Sequence, residues 1–526
     1  MSGVALSPVR GIAWTRVPVL VPVLLVAGVL RLVTLGQVPF SMDESATAVF
    51  AGLSWDELLR GLGRLETNPP AFYVLEKLWT GLAGTSDWAF RVMPALSGVA
   101  GVAAVAVLAR AAFGTRAGMW AGLLLATQAH HLGHSREARV YALLFLVIAL
   151  AMLAARRVAT WRDKTLPWRP AAALAVLSAV AMTLHYTGPV AAACVFVYAG
   201  VVAIHQAGPR LTRFAVLAVA GFSALAFATP SLIAGMALVD SGANSASWIA
   251  PPGWEMSSAL VLSVLAVPLK GMMTLPVPLI GLWVILGTVV IGSAIGWGLR
   301  HAKSSADAAG MLAGLLSALV LLIGLSQAVP ILLERTLLFS LVFFVPLMAA
   351  ALAAMSISVR LAILAAVVLG QAPGLAVVLS TGQNGQGWQA LAVTLQQDAM
   401  ETGWPVVVEV GLDAAAIERY LPPGNPARPR IAITPQLGAK LSEGVARLAT
   451  SAIPLPLEAD SATFCRALGQ PGGVLLVVHD TSPDSPRHSI ASRLLNAAGG
   501  VLEKRVMLDR PAVERWSGVC SQVAAP

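Results

Sequence analysis

The stretch VPVLVPVLLVAGVLRLVTLGQVPFSMDESATAVF, residues 17–50, runs an apolar segment straight into two adjacent acids, Asp43 and Glu44. Residues 17–35 are long enough to cross a hydrocarbon core about 30 Å thick. The segment contains two prolines and lacks a small-residue cleavage site before PFSMDE, so it reads as a signal-anchor helix rather than a removable signal. The whole 526-residue chain follows suit: it is 57% hydrophobic and 12% charged, with a mean hydropathy of +0.77. Soluble domains carry about 25% charged residues. The apolar runs predict an integral membrane protein with about eleven spans. They lie near 17–35, 89–109, 117–133, 140–155, 170–186, 188–204, 214–233, 274–298, 309–330, 337–356 and 361–380.

A sequence pI near 9.9 could suggest nucleic acid, but the placement of the charges excludes that partner. With the N-terminus in the cytoplasm, Arg110, Arg116, the cluster RRVATWRDKTLPWR (156–169), Arg210, Arg213, Arg300, Lys303 and Arg360 all become cytoplasmic, as the positive-inside rule requires. Apart from Asp163 and Asp307, every acid from Asp43 to Glu334 then faces outward. An odd number of spans also puts everything after Ser380 outside. That tail is a different kind of sequence. VVVEV (406–410), PRIAIT (429–434) and GVLLVVHD (473–480) read as buried strands, and Trp388–Met400 and Ser489–Ala498 as amphipathic helices. A soluble C-terminal α/β domain follows. Cys465 and Cys520 lie in it, where an oxidising compartment permits a disulfide; two unrelated buried thiols are the alternative. Cys194, within a span, reads as packing.

The first outer loop, about 36–88, holds seven acids. Asp43 and Glu44 come just beyond a helix end, at the depth of lipid headgroups; they could equally cap the helix that follows. ETNPPAFYVLEKLW (66–79) supplies a proline-fixed start to an interfacial amphipathic segment. In HHLGHSREARVYALL (130–144), Arg139 stands at the mouth of a span, suited either to phosphate binding or to snorkelling. His130 and His134 share a helix face, with interfacial hydrogen bonding favoured over a metal site. His185, Lys270, Glu334 and Arg335 are further ionisable candidates on the outer side.

These elements occur in one order, with FRVMPALSG (90–98) between them and ERTLLFSLVFFVP (334–346) and GQGWQALAVTL (385–395) after them. Together they resemble the GT-C glycosyltransferases, in the bacterial branch similar to protein O-mannosyltransferases, lipid A aminoarabinose transferases and lipopolysaccharide galacturonosyltransferases. The resemblance implies a GT-C transmembrane catalytic domain over 1–380 and an extracytoplasmic domain over 381–526. It implies inverting transfer of a sugar from a polyprenyl-phosphate donor to a cell-envelope acceptor, whether glycan, lipid or protein, at the outer face of a bacterial inner membrane. Asp43 matches the family's general base and Glu44 its neighbour. Arg139 and Arg335 match donor-phosphate residues, Lys270 more loosely, and Asn68, Glu137, Tyr141 and His185 are candidates for the substrate pocket. A divalent metal ion is possible, since relatives differ. Arg136 stands where relatives usually have glutamine, and Asn68 where other branches carry lysine. A lipid or glycan transporter is the alternative, which the lack of internal repeats and the outward clustering of charge disfavour; a noncatalytic scaffold is a third.

Overall fold

Backbone polar groups in hydrocarbon must be satisfied internally, so long apolar runs close into helices. The computed structural model describes residues 20–62, 68–163, 165–240, 251–269, 276–380, 387–433, 450–455, 459–469, 471–478, 486–507 and 511–521. Among the described residues, eight helices are long and apolar enough to cross a membrane. The protein is a multi-pass membrane protein. In chain order its first helices are α1 (Val21–Leu32), α2 (Met42–Gly52), α3 (Trp55–Leu62), α4 (Ala71–Ala83) and α5 (Asp87–Phe113). Next come α6 (Thr115–Ala126), α7 (Ala129–Ser135), α8 (Tyr141–Ala159), α9 (Trp168–Leu184), α10 (Gly188–His205), α11 (Arg210–Asp240) and α12 (Trp254–Leu265). Then follow α13 (Val277–His301), α14 (Ala306–Leu325), α15 (Glu334–Ala354, with a 3₁₀ turn at Leu338–Ser340) and α16 (Ile357–Ser380). Helix α15 is the central one, buried along nearly its whole length, whereas α11 and α13 present apolar residues such as Phe222, Phe227, Leu282 and Ile285 outward.

Two departures from the expected spans have physical causes. The expected span over 117–133 is two helices, α6 and α7, broken at Thr127–Gln128. The break frees carbonyls at the end of α6, and the fully buried Arg31 supplies the donors. Its Nη1 donates to Ala126 O at 3.1 Å and its Nη2 to Leu125 O at 3.4 Å. Gln128 then caps α7 by accepting from His131 N at 2.6 Å. Gly98 lets α7 lie against α5, because a Cβ there would come within 2.6 Å of Ser135 Cβ. The second departure is α12, whose 12 residues are too few to stand out as a span. Residues 17–19, Glu66, Thr67 and Lys270 lie outside the described residues.

The C-terminal unit carries a mixed six-stranded sheet in the order β3-β2-β1-β4-β6-β5. Its elements are α17 (Trp388–Thr402), β1 (Val406–Val408), α18 (Gly411–Glu418), β2 (Ile431–Ile433) and β3 (Ile453–Leu455), followed by α19 (Ser461–Leu468), β4 (Gly473–Val478), α20 (Pro486–Ala497), β5 (Val501–Met507) and β6 (Ala512–Ser517). Strand alternation divides its interior. Val406, Val408, Leu475 and Val477 pack under α17 and α18, while Val407, Val474 and Leu476 pack under α19 and α20. A disulfide joins Cys465 to Cys520 on the second face. Cys194 is a buried free thiol.

Candidate active site

Helix α2 opens with a capping box. Ser41 Oγ accepts from Glu44 N at 3.3 Å, and Glu44 Oε2 accepts from Ser41 N at 2.9 Å. Glu44 is buried and its carboxylate is heavily engaged. It takes Arg91 Nε at 2.6 Å, Arg91 Nη2 at 2.8 Å and Ala138 N at 2.9 Å as well. Arg91 also donates to the carbonyls of Leu35, Val38 and Pro39. One ion pair therefore ties the end of the first span, the start of α2, the head of α5 and the 136–140 turn into one junction. Sequence reasoning gave Arg91 no role; a lone guanidinium in FRVMPALSG was the available signal.

Asp43 sits one residue earlier and faces elsewhere. Arg335 Nη1, at the head of α15, donates to Asp43 Oδ2 at 3.1 Å, with both side chains partly exposed. Arg139 Nη1 donates to the Asp43 carbonyl at 3.3 Å, to Thr47 Oγ1 at 3.2 Å and to Tyr73 Oη at 3.3 Å. Burial works against ionisation of Asp43, but the guanidiniums of Arg139 and Arg335 outweigh it and hold the acid below its ordinary value. Asp43 is therefore a carboxylate at neutral pH.

Around this pair the aromatic and histidine residues close in. The Arg335 guanidinium lies 5.9 Å from the Tyr141 ring centroid. Tyr141 is edge-on to His185 at 5.6 Å and to His134 at 5.1 Å. His134 Nδ1 meets Glu137 Oε2 at 2.8 Å, and His185 Nδ1 meets Thr187 Oγ1 at 2.8 Å. His130 Nε2 lies 3.0 Å from Ser263 Oγ, which donates to Glu334 Oε1 at 2.6 Å. The structure thus gathers Asp43, Glu44, Glu137, Arg139, Tyr141, His185 and Arg335 at one end of the bundle, beneath the C-terminal unit. Asn68 lies in the turn leading into α4, partly buried. Arg136 is a helix cap: it donates to the carbonyls of Leu30 and Val33 at 2.9 and 2.7 Å and to Thr34 Oγ1 at 3.0 Å. Among the described residues, no three His, Cys, Asp or Glu side chains form a metal-ligand set.

Residues 67–233, about a third of the chain, match a family described as dolichyl-phosphate-mannose-protein mannosyltransferase. The match includes Arg91, Arg139 and His185 and begins after Asp43. No curated protein matches the sequence. Among solved structures, ArnT from Cupriavidus metallidurans in the apo state is similar over 96% of this chain and 99% of its own, at 16% identity and a TM-score of 0.59. The same protein bound to undecaprenyl phosphate is similar over 98% and 100%, at 15% identity and a TM-score of 0.57. The chain has the GT-C fold. A more distant GT-C structure is the archaeal oligosaccharyltransferase AglB from Archaeoglobus fulgidus, solved with an inhibitory peptide and a dolichol-phosphate. It is similar over 97% of this chain and 75% of its own, at 12% identity and a TM-score of 0.52. Across this GT-C likeness the C-terminal sheet is included, since the ArnT comparison spans nearly the whole of both chains.

Proposed function

We propose that the protein is an inverting glycosyltransferase that moves a hexosyl or pentosyl group from a polyprenyl-phosphate donor to a cell-envelope acceptor. Residues 1–380 would be its catalytic membrane domain. The observation that carries this reading is one ionised carboxylate, Asp43, paired with the Arg335 guanidinium while Arg139 holds its backbone carbonyl, in a GT-C fold. The matched family and the undecaprenyl-phosphate-bound neighbour support a lipid-phosphate donor. In the reaction, Asp43 accepts the proton of the acceptor hydroxyl as its oxygen attacks the anomeric carbon. The bond from that carbon to the phosphate oxygen breaks, and its electron pair leaves with polyprenyl phosphate. A phosphate is a weak base, so no acid need protonate it; Arg335 and Arg139 stabilise its charge. A phosphodiester arriving at Arg335 competes with Asp43 for the guanidinium, which turns a resting ion pair into a free base. Glu44, already committed to Arg91, fixes α2 instead of exchanging protons. The charge pattern supports a cytoplasmic N-terminus and a site and C-terminal domain (381–526) on the outer side of a bacterial inner membrane.

The test is label transfer from a panel of radiolabelled polyprenyl-phosphate sugars into a membrane extract, with wild type beside Asp43→Asn. Transfer by wild type and a loss of at least about 100-fold in the variant are expected. Equal transfer by the two would remove Asp43 as the base, and no transfer from any donor by folded protein would favour a transporter.

A further inference from the structure

Two of the residues just ahead of Asp43 are held from outside the helix bundle. Phe40 N donates to the Tyr420 hydroxyl at 2.6 Å, and that hydroxyl donates onward to Asp87 Oδ2 at 3.0 Å. Arg419, the C-cap of α18, reaches the same carboxylate, donating to Asp87 Oδ1 from Nε at 2.8 Å and from Nη2 at 2.5 Å. Its Nη2 also donates to Thr85 O at 3.0 Å. The Arg419 guanidinium lies 4.1 Å from the centroid of the Phe40 ring, and Arg91, from the membrane part, lies 4.9 Å from that same ring. Met42 packs against Val410, Leu412 and Ala415 around α18.

The spacing along the chain gives these contacts a consequence. Phe40 and Met42 are gripped by the C-terminal unit, and Glu44 is gripped by Arg91. Asp43 stands between the two grips. The first turn of a helix has the backbone freedom to tilt or unwind unless its flanking residues are fixed, and here one of the two grips comes from distant residues, Tyr420 lying 380 positions after Phe40 in the chain. We propose that the C-terminal unit is part of the catalytic apparatus, with Arg419 and Tyr420 as positioning residues that set the first turn of α2 and thereby aim the Asp43 carboxylate. The proposal rests on the reading of Asp43 as the base. Neither residue touches the carboxylate; both act through Phe40, Met42 and Asp87. The chemistry of each is specific to its place. The Tyr420 hydroxyl accepts from Phe40 N while donating to Asp87, which a phenylalanine ring cannot do, and the planar Arg419 guanidinium lies on the Phe40 ring while donating from two nitrogens, which a lysine ammonium cannot do.

The test uses the full-length detergent-solubilised protein as wild type, Tyr420→Phe, Arg419→Lys and, as a control on the far edge of the sheet, Lys504→Ala. Amide hydrogen exchange over residues 38–46 needs no substrate and is expected to quicken about tenfold in the first two variants and to stay unchanged in the control. With whichever polyprenyl-phosphate sugar the wild type uses, kcat is expected to fall about tenfold while the donor KM stays within about twofold. Unchanged exchange overturns the proposal, as does faster exchange with kcat retained. A raised donor KM with kcat retained also overturns it, by moving the residues into donor binding. If wild type transfers no label, the glycosyltransferase reading fails by itself; the exchange result then decides whether the C-terminal unit anchors α2 at all.

Discussion

Asp43 and Glu44 are neighbours of the same chemistry with opposite fates, and the difference lies in what each side chain meets. Glu44 points into the bundle, where two guanidinium nitrogens and two backbone amides occupy its oxygens. Removing one partner of a buried ion pair leaves the other charged and unsolvated, at a cost of about 3–5 kcal/mol. Glu44→Ala is therefore expected to lower the melting temperature of the purified protein sharply, because Arg91 is stranded. Asp43, paired at a partly exposed site, contributes at most about 1 kcal/mol to stability, so Asp43→Asn should melt with the wild type. Thermal unfolding of the two variants side by side checks this; an Asp43→Asn protein that unfolded as early as Glu44→Ala would mean that the first acid too is structural.

Helix α4 carries a second buried acid whose role is not pairing. Glu76 is fully buried, and neither carboxyl oxygen has a hydrogen-bond partner among the described residues. Burial, together with the nearby Glu44 carboxylate, pushes its pKa up to about 8. Its neighbour Lys77 meanwhile turns back to the Ala51 and Leu53 carbonyls and so closes the far end of α2. The sign of the pH effect follows from linkage. The unfolded chain releases the Glu76 proton near the ordinary value of 4.5, the folded protein only near 8, so stability falls as pH rises between those values and is level above them. Glu76→Gln mimics the protonated acid and removes that slope. The variant should melt with the wild type near pH 4.5 and roughly a few degrees above it at pH 8; parallel melting curves at both pH values would show that the acid is ionised in place. At this scale the sequence was legible where apolar length or charge scarcity spoke. Residues 89–109, 309–330 and 361–380 stood out by length, and Asp43, Arg139 and Arg335 because ionisable groups are rare in such a chain. The break between α6 and α7 was hidden, because the side chain that satisfies its freed carbonyls, Arg31, lies 95 residues away from Ala126. The partnership of Arg91 with Glu44, 47 residues apart, was hidden for the same reason: local pattern carries no record of which distant helices pack together.

The whole molecule couples the C-terminal α/β unit to the membrane bundle through the start of α2 and residues 85–87, and that coupling was illegible because Arg419 and Tyr420 look like surface residues of the tail. It makes the stability of the tail a condition of activity. The Cys465–Cys520 disulfide closes a span of 55 residues within the face that holds α19 and α20. Closing a loop of that length restricts the unfolded tail by about 4 kcal/mol in the chain-entropy account. A Cys465→Ser/Cys520→Ser protein should therefore lose its C-terminal unit in a first, lower-temperature transition while the helix bundle remains folded. Label transfer should vanish with that first transition, and exchange at residues 38–46 should quicken at the same temperature, since the grip on Phe40 and Met42 goes with α18. Following circular dichroism, transfer and exchange on one heating ramp distinguishes the outcomes: transfer that survived the first transition would mean that the bundle holds Asp43 unaided.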